Sequence, residues 1–166
     1  MLRGQEIKNY LLENLKKDQL GKSSHWEYHL QDFSFDEEKG LKNITGFGGI
    51  VQRSLRERLY HFTMQLPDRK KGRKFPGFNK LISLAQDVAK IQNRTLDSDM
   101  MRHVLSLSCI ESMIPNFNID DSIDLVIGDG FGVLSSLINR YTGNKVASVN
   151  LNEVLLVDYL YTRGII

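Results

Sequence analysis

Gly128-Asp129-Gly130-Phe131-Gly132 has the composition of a loop that lets a ligand approach the backbone closely. Its three glycines remove the side chains that would block a cofactor carrying an adenosine group, and the amides that open a following helix would face that cofactor. Asn150 lies 18 residues after Gly132, near the spacing of about 20 expected for a ribose-binding side chain. We therefore predict a nucleotide-cofactor site that consists of Gly128, Asp129, Gly130, Gly132 and Asn150.

Strands and helices alternate around this loop, as a cofactor site of this kind requires. Ile123–Ile127 is a short apolar run of buried-strand type, and residues 145–150 are predicted to form a second short strand. Residues 133–141 and 153–163 have helical spacing, and Gly143 stands where a C-cap glycine belongs. This alternation predicts a parallel sheet. The fold class is therefore α/β, with residues 118–166 forming the first β-α-β-α of an incomplete Rossmann-like sheet.

The preceding residues, 1–117, are predicted to form a helical N-terminal region. Helical spacing of apolar residues covers 5–20, 50–64, a segment that Asn79 caps, and 98–114. Asp97 or Ser98 would cap the last of these helices. Two segments are predicted to be loops, one at 45–49 and one from Leu66 to Phe78, because glycine and proline cluster there.

The glycine loop does not match the dinucleotide fingerprint G-x-G-x-x-G, because Val133 stands where the third glycine is required. The G-x-G-x-G pattern instead resembles motif I of class I S-adenosylmethionine-dependent methyltransferases. Together with residues 149–156, it looks most like a group of sugar O-methyltransferases. The resemblance is specific over about 40 residues and looser elsewhere. It implies a Rossmann-like methyltransferase sheet, S-adenosylmethionine as cofactor, and methyl transfer to a hydroxyl of a sugar or sugar derivative.

Two positions depart from that family's pattern. Many of its members carry an acidic residue two positions before the first motif glycine, where this chain has Val126. Asp129 is the better polar candidate for the cofactor's amino group, with a role as a turn residue as the alternative. Asn150 replaces the aspartate of many relatives and would bind a ribose hydroxyl as a neutral partner.

A doubly wound sheet needs more strands than these 166 residues supply, although Ile165-Ile166 could begin a third. We therefore expect an incomplete chain, whose sheet is completed by a missing C-terminal half or in a homo-oligomer. Whether the chain is active alone stays open.

Composition and residue spacing argue against three classes of function, namely nucleic-acid binding, metal binding and membrane association. The net charge of +2 does not favour nucleic acid as a partner, although residues 69–74 form a basic run that could hold an anionic substrate. The single cysteine and the histidine spacing predict no metal site. The absence of a signal-peptide pattern or a long apolar run predicts a cytoplasmic protein without membrane association.

The acceptor-deprotonating base is not identifiable from the sequence, although His25, His29 and His61 are candidates beside ordinary packing roles. Trp26 could stack on a sugar ring or belong to the core. Two other functions remain open. The chain could be a fragment of a nicotinamide-dependent oxidoreductase, or a non-catalytic helical interaction module with exposed apolar surface on strand 145–150.

Overall fold

The computed structural model describes residues 4–15, 23–42, 54–114, 117 and 122–165. These residues form a mixed α/β structure of eight helices and two two-stranded sheets. The helices are α1 (Gly4–Asn14), α2 (Ser24–Leu30), α3 (Leu55–Met64), α4 (Leu66–Gly72), α5 (Phe78–Ile91), α6 (Ser98–Met113), α7 (Val133–Thr142) and α8 (Asn152–Thr162). The strands are β1 (Ser34–Asp36), β2 (Gly40–Lys42), β3 (Ile123–Ile127) and β4 (Lys145–Val149).

The predicted β-α-β-α segment is confirmed within one or two residues at each boundary. Strands β3 and β4 pair in parallel, with Ile123 opposite Lys145 and Ile127 opposite Val149. Gly143 ends α7 with a φ of 82°, a left-handed conformation that glycine adopts without steric cost. Ile165 lies in a turn with its side chain buried, and Ile166, the other residue of the predicted third strand, lies outside the described residues.

The core joins the two predicted regions of the chain. Helix α5 is strongly amphipathic and packs against both α6 and α7. One buried cluster contains Leu81 and Val88 of α5, Val104 of α6, Leu137 of α7 and Val157 of α8. Helix α1 packs against α8, where the Asn152 side-chain amide donates to the Asn14 carbonyl. The helices therefore hold the α/β segment in place through a shared apolar core.

The predicted loop from Leu66 to Phe78 is wrong over its first half, where α4 forms. Pro67 stands in the first turn of α4, where a fixed φ favours the helix and the missing N–H costs no hydrogen bond. Gly72 is the last residue of this helix, and its missing side chain makes room for the Phe78 ring, which would lie 2.1 Å from a Cβ there. Asn79 is not the cap of α5, since the helix begins at Phe78 and Gly77 is its N-cap.

The other helical predictions are confirmed where they can be compared. Asp97 caps α6 by accepting a hydrogen bond from the Met100 amide at 2.9 Å. Helix α1 covers the first part of the predicted segment 5–20, and residues 16–20 lie outside the described ranges. The predicted loop at 45–49 also lies outside them. Helix α3 forms, but its apolar side chains Leu55, Leu59 and Phe62 are exposed in the described structure.

Candidate functional site

The glycine loop turns sharply between β3 and α7. Gly128 has a φ of 77°, and its amide donates to the Val149 carbonyl at 3.0 Å, which ties the loop to the end of β4. Phe131 and Gly132 both have left-handed backbones, with φ near 62° and 61°. This conformation is uncommon for a residue such as phenylalanine. The Phe131 ring is buried and helps to hold this backbone conformation. It lies edge-to-face against the Tyr161 ring, with 4.7 Å between the two ring centres.

Four of the five predicted site residues line one cavity of about 260 Å³ beside this loop. Gly128, Asp129, Gly130 and Asn150 form one wall, together with residues at the starts of α7 and α8. Its volume is just below the range of about 300–1000 Å³ that is typical of small-molecule sites. The cavity lies at the carboxyl ends of two parallel strands, the position at which open α/β sheets bind ligands.

Gly132 is the predicted residue that does not line the cavity. A Cβ at this position would lie 2.1 Å from Cγ2 of Thr162 and 3.2 Å from the Asp158 carbonyl oxygen. Its missing side chain therefore permits close contact between the loop and α8.

The Asp129 carboxylate caps α7. Its two oxygens accept hydrogen bonds from the Leu134 amide at 3.0 Å and from the Ser135 amide at 2.7 Å. The side chain is buried, so these bonds satisfy amides that the first helical turn would otherwise leave without partners. Asp129 thus contributes to the cavity wall while its carboxylate holds the helix start.

Asn150 ties the end of β4 to the loop and to α8. Its side-chain amide donates to the Asp129 carbonyl at 2.6 Å and to the Asp158 carboxylate at 3.0 Å. Its oxygen accepts from the Leu151 amide at 3.0 Å. A ribose hydroxyl would therefore meet an Asn150 side chain that is already held in one orientation.

Asp158 is a buried acidic residue that sequence reasoning missed. Its carboxylate accepts a hydrogen bond from the Gly132 amide at 3.0 Å and lies close enough to Asp129 for the two charges to repel. Burial and this repulsion raise the pKa of Asp158 to about 8, against the opposing effect of its hydrogen bonds. Its helical spacing in α8 predicts only that it faces inward, and no sequence motif identifies it.

The opposite wall of the cavity comes from the helical region. It includes Trp26 of α2 and Asp99, Arg102 and His103 of α6, with Arg94 from the segment between α5 and α6. Asp99 and Arg102 form an ion pair at 2.7 Å. Burial lowers the pKa of His103 below its ordinary value, although nearby Asp129 acts in the opposite direction.

Only part of the predicted aromatic and histidine set reaches this cavity. Trp26 lines it, whereas His25, His29 and His61 do not. His103, which does, was missed because it stands on a helix without a recognisable motif around it. Among the described residues, no group of three or more His, Cys, Asp or Glu side chains is placed to hold a metal ion.

No helix within the described ranges is both long and apolar enough to cross a membrane. No protein-family model, curated protein or solved structure matches the chain.

Proposed function

We propose that the cavity beside the glycine loop binds S-adenosylmethionine and that the protein is a methyltransferase of Rossmann-like architecture. The observation that carries this proposal is the convergence of Gly128, Gly130 and Asn150 on one cavity at the carboxyl ends of β3 and β4. Helix α7 and strand β4 separate the loop from Asn150 along the chain, and ligands of open α/β sheets bind where such strand ends meet.

The charges around the cavity suit the methionine part of this cofactor. That part carries an ammonium and a carboxylate, and the cavity offers Asp99 together with Arg102. Arg102 and Asp99 are both partly exposed and form an ion pair with each other. A bound methionine zwitterion would replace this pair with two, one between its ammonium and Asp99 and one between its carboxylate and Arg102. The Trp26 ring supplies an apolar surface in the same wall.

The reaction would be a displacement on a hydroxyl acceptor. When bound, the cofactor supplies an electrophilic methyl group, whose bond to sulfur breaks as a bond to the acceptor oxygen forms. The chain's contribution is to align the two reactants and to accept the hydroxyl proton. His103 suits the second role, because its lowered pKa keeps the imidazole neutral near pH 7 and it lines the same cavity.

The proposed acceptor class follows from the resemblance to sugar O-methyltransferases, and the proposed compartment follows from the sequence pattern. A sugar or sugar derivative is the proposed acceptor, and the cytoplasm is the proposed compartment.

Isothermal titration of S-adenosylhomocysteine into the purified chain tests the cofactor proposal. The wild type should bind saturably, and Gly130→Arg should abolish binding because its side chain would occupy the cavity. Gly164→Arg is the matched control, since Gly164 is exposed and a Cβ there has no neighbour within 4 Å. A folded wild type that gives no heat of binding would contradict the proposal. Saturable binding of NADH instead, followed by fluorescence, would favour the oxidoreductase.

A second candidate function, a non-catalytic interaction module, is favoured by the outer face of the β3–β4 sheet. Ile123, Leu125 and Ile127 are 68%, 62% and 73% exposed there, although parallel sheets are ordinarily covered on both faces. If this face joins two copies of the chain, the wild type should sediment as a dimer and Leu125→Lys as a monomer. A monomeric wild type at all concentrations would contradict self-association.

A further inference from the structure

A second and larger cavity, of about 460 Å³, lies apart from the glycine loop, and we call it the basic cavity. It is bounded by α3, α4, the end of α5 and the segment between α5 and α6. Its charged lining residues are Arg58, Arg69, Lys90 and Arg94, and none of the lining residues within the described ranges carries a carboxylate. Its volume falls within the range of small-molecule sites.

The Arg69 side chain is held in this cavity by its neighbours. Its guanidinium donates to the Gln65 side-chain oxygen at 3.3 Å and lies 5.0 Å from the centre of the Phe62 ring. Gln65 is itself buried and anchored, since its amide donates to the Leu96 carbonyl at 2.8 Å. Arg69 is thereby oriented in advance, which reduces the entropy lost when a ligand binds.

The Arg69 charge is incompletely compensated within the described structure. Its Nε is buried and has no hydrogen-bond partner among the described residues. Burial and the charge of Arg73 both lower the pKa of Arg69, which indicates that its cationic form is disfavoured where it stands. A buried donor without a partner is uncommon and costly, so an anion at this place would be stabilised.

Arg94 differs from the other three cations. It forms an ion pair with Asp97 at 3.1 Å and lies 3.9 Å from the centre of the Phe131 ring. Its charge is therefore balanced within the fold. The cations that remain for a ligand are Arg58, Arg69 and Lys90, each from a different helix.

We propose that the basic cavity binds the phosphate groups of a small anionic molecule, of the class of sugar phosphates and nucleoside diphosphates. Three cations from three helices converge on a concave site, and guanidinium groups suit phosphate oxygens in both geometry and charge. A small anion is favoured over nucleic acid because the cations line a cavity and the chain's net charge is only +2. Arg94 lines both cavities, so the anion would lie beside the proposed cofactor site.

Isothermal titration of inorganic pyrophosphate at low ionic strength tests this proposal. Wild type should bind saturably, and Lys90→Gln or Arg69→Gln should weaken binding by about tenfold, the order expected for one lost hydrogen bond to a charged group. Lys90 is exposed, so its replacement leaves the core intact. Lys71→Gln is the matched control. Lys71 is exposed and lies with Arg69 in the basic run 69–74, but it does not line the cavity. It should change binding by less than about twofold.

Three results would overturn the proposal. The first is the absence of saturable binding to folded wild type, and the second is equal weakening by Lys71→Gln. The third is tighter binding of a single-stranded oligonucleotide than of pyrophosphate, with Lys71→Gln weakening it as much as Lys90→Gln, which would indicate an extended nucleic-acid surface.

The outcome is separable from that of the cofactor proposal. Gly130→Arg should leave pyrophosphate binding unchanged, because Gly130 does not line the basic cavity. Lys90→Gln should likewise leave S-adenosylhomocysteine binding unchanged. If Gly130→Arg also abolished pyrophosphate binding, the phosphate would belong to the glycine-loop cavity and the basic cavity would not be its site.

Discussion

The start of helix α7 and the basic cavity are both regions of positive potential, but the chain compensates only one of them. At α7 the positive helix end meets the Asp129 carboxylate, which accepts from two amides of the first turn, while Asp158, whose pKa is raised to about 8, accepts from the Gly132 amide. The basic cavity is lined by Arg58, Arg69 and Lys90, and none of its lining residues that the structure describes carries a carboxylate.

The difference separates a structural role from a binding role. Polar groups with internal partners hold the glycine loop in shape, and a ligand there would contact the backbone of residues 128–130 and the cavity walls. Cations without such partners raise the energy of the folded chain and gain from an anion supplied from outside. The same reasoning predicts opposite effects on stability when the Asp129 charge is removed and when a charge of the basic cavity is removed.

The largest effect is expected for Asp129→Ala. This change leaves two buried amides without their acceptor and should lower the free energy of unfolding by about 3 kcal/mol, the upper end for a charged cap. Urea denaturation measures this loss. Asp87→Ala, which removes an exposed acid from α5, should cost less than about 0.5 kcal/mol. Similar losses in the two variants would contradict the capping role of Asp129.

A smaller effect is expected from pH, through Asp158. Because its pKa is raised to about 8, the folded protein holds a proton that the unfolded chain has already released above the ordinary value of 3.8. The free energy of unfolding should therefore fall by about 1 kcal/mol from about pH 7 to about pH 9, as the folded state loses this proton.

Asp158→Asn should remove most of that dependence, since its side chain stays neutral at every pH. Urea denaturation at both pH values makes the comparison. An equal pH dependence in wild type and Asp158→Asn would show that another group is responsible.

The smallest effect is expected in the basic cavity without ligand. Arg69→Gln removes a charge that burial disfavours while it leaves Gln65 bonded to Leu96. The free energy of unfolding should change by less than about 0.5 kcal/mol, or rise slightly. Thermal unfolding followed by circular dichroism is sufficient to measure this. A loss above about 2 kcal/mol would assign Arg69 a structural role, as at the start of α7.

The β-α-β-α segment could be predicted because its signals are local. An apolar run at 123–127 is followed by a helical pattern that ends at Gly143 and by a second short strand at 145–149, and these local patterns fix the type of each element. The helix α4 was missed because Pro67 was interpreted as a loop signal, although proline in a first helical turn favours the helix. Composition alone does not distinguish the two uses of proline.

The exposed apolar face of α3 illustrates another limit. Its spacing predicted helix correctly, but spacing does not identify what covers an apolar face. Leu55, Leu59 and Phe62 are exposed in the described structure. The outer face of β3 shows the same limit. Its sequence predicted a buried strand, but Ile123, Leu125 and Ile127 are exposed in the described structure.

The sequence by itself determined the glycine loop, the parallel pair of strands and the return of Asn150 to that loop, because short-range periodicity and glycine geometry decide them. Only the tertiary structure decided which partners these residues meet. It placed Asp158 beneath the loop, His103 across the cavity, and Arg58, Arg69 and Lys90 around one space. Such groupings join side chains from different helices, which come together because α5 packs against α6 and α7, α4 packs against α6, and α3 packs against α4.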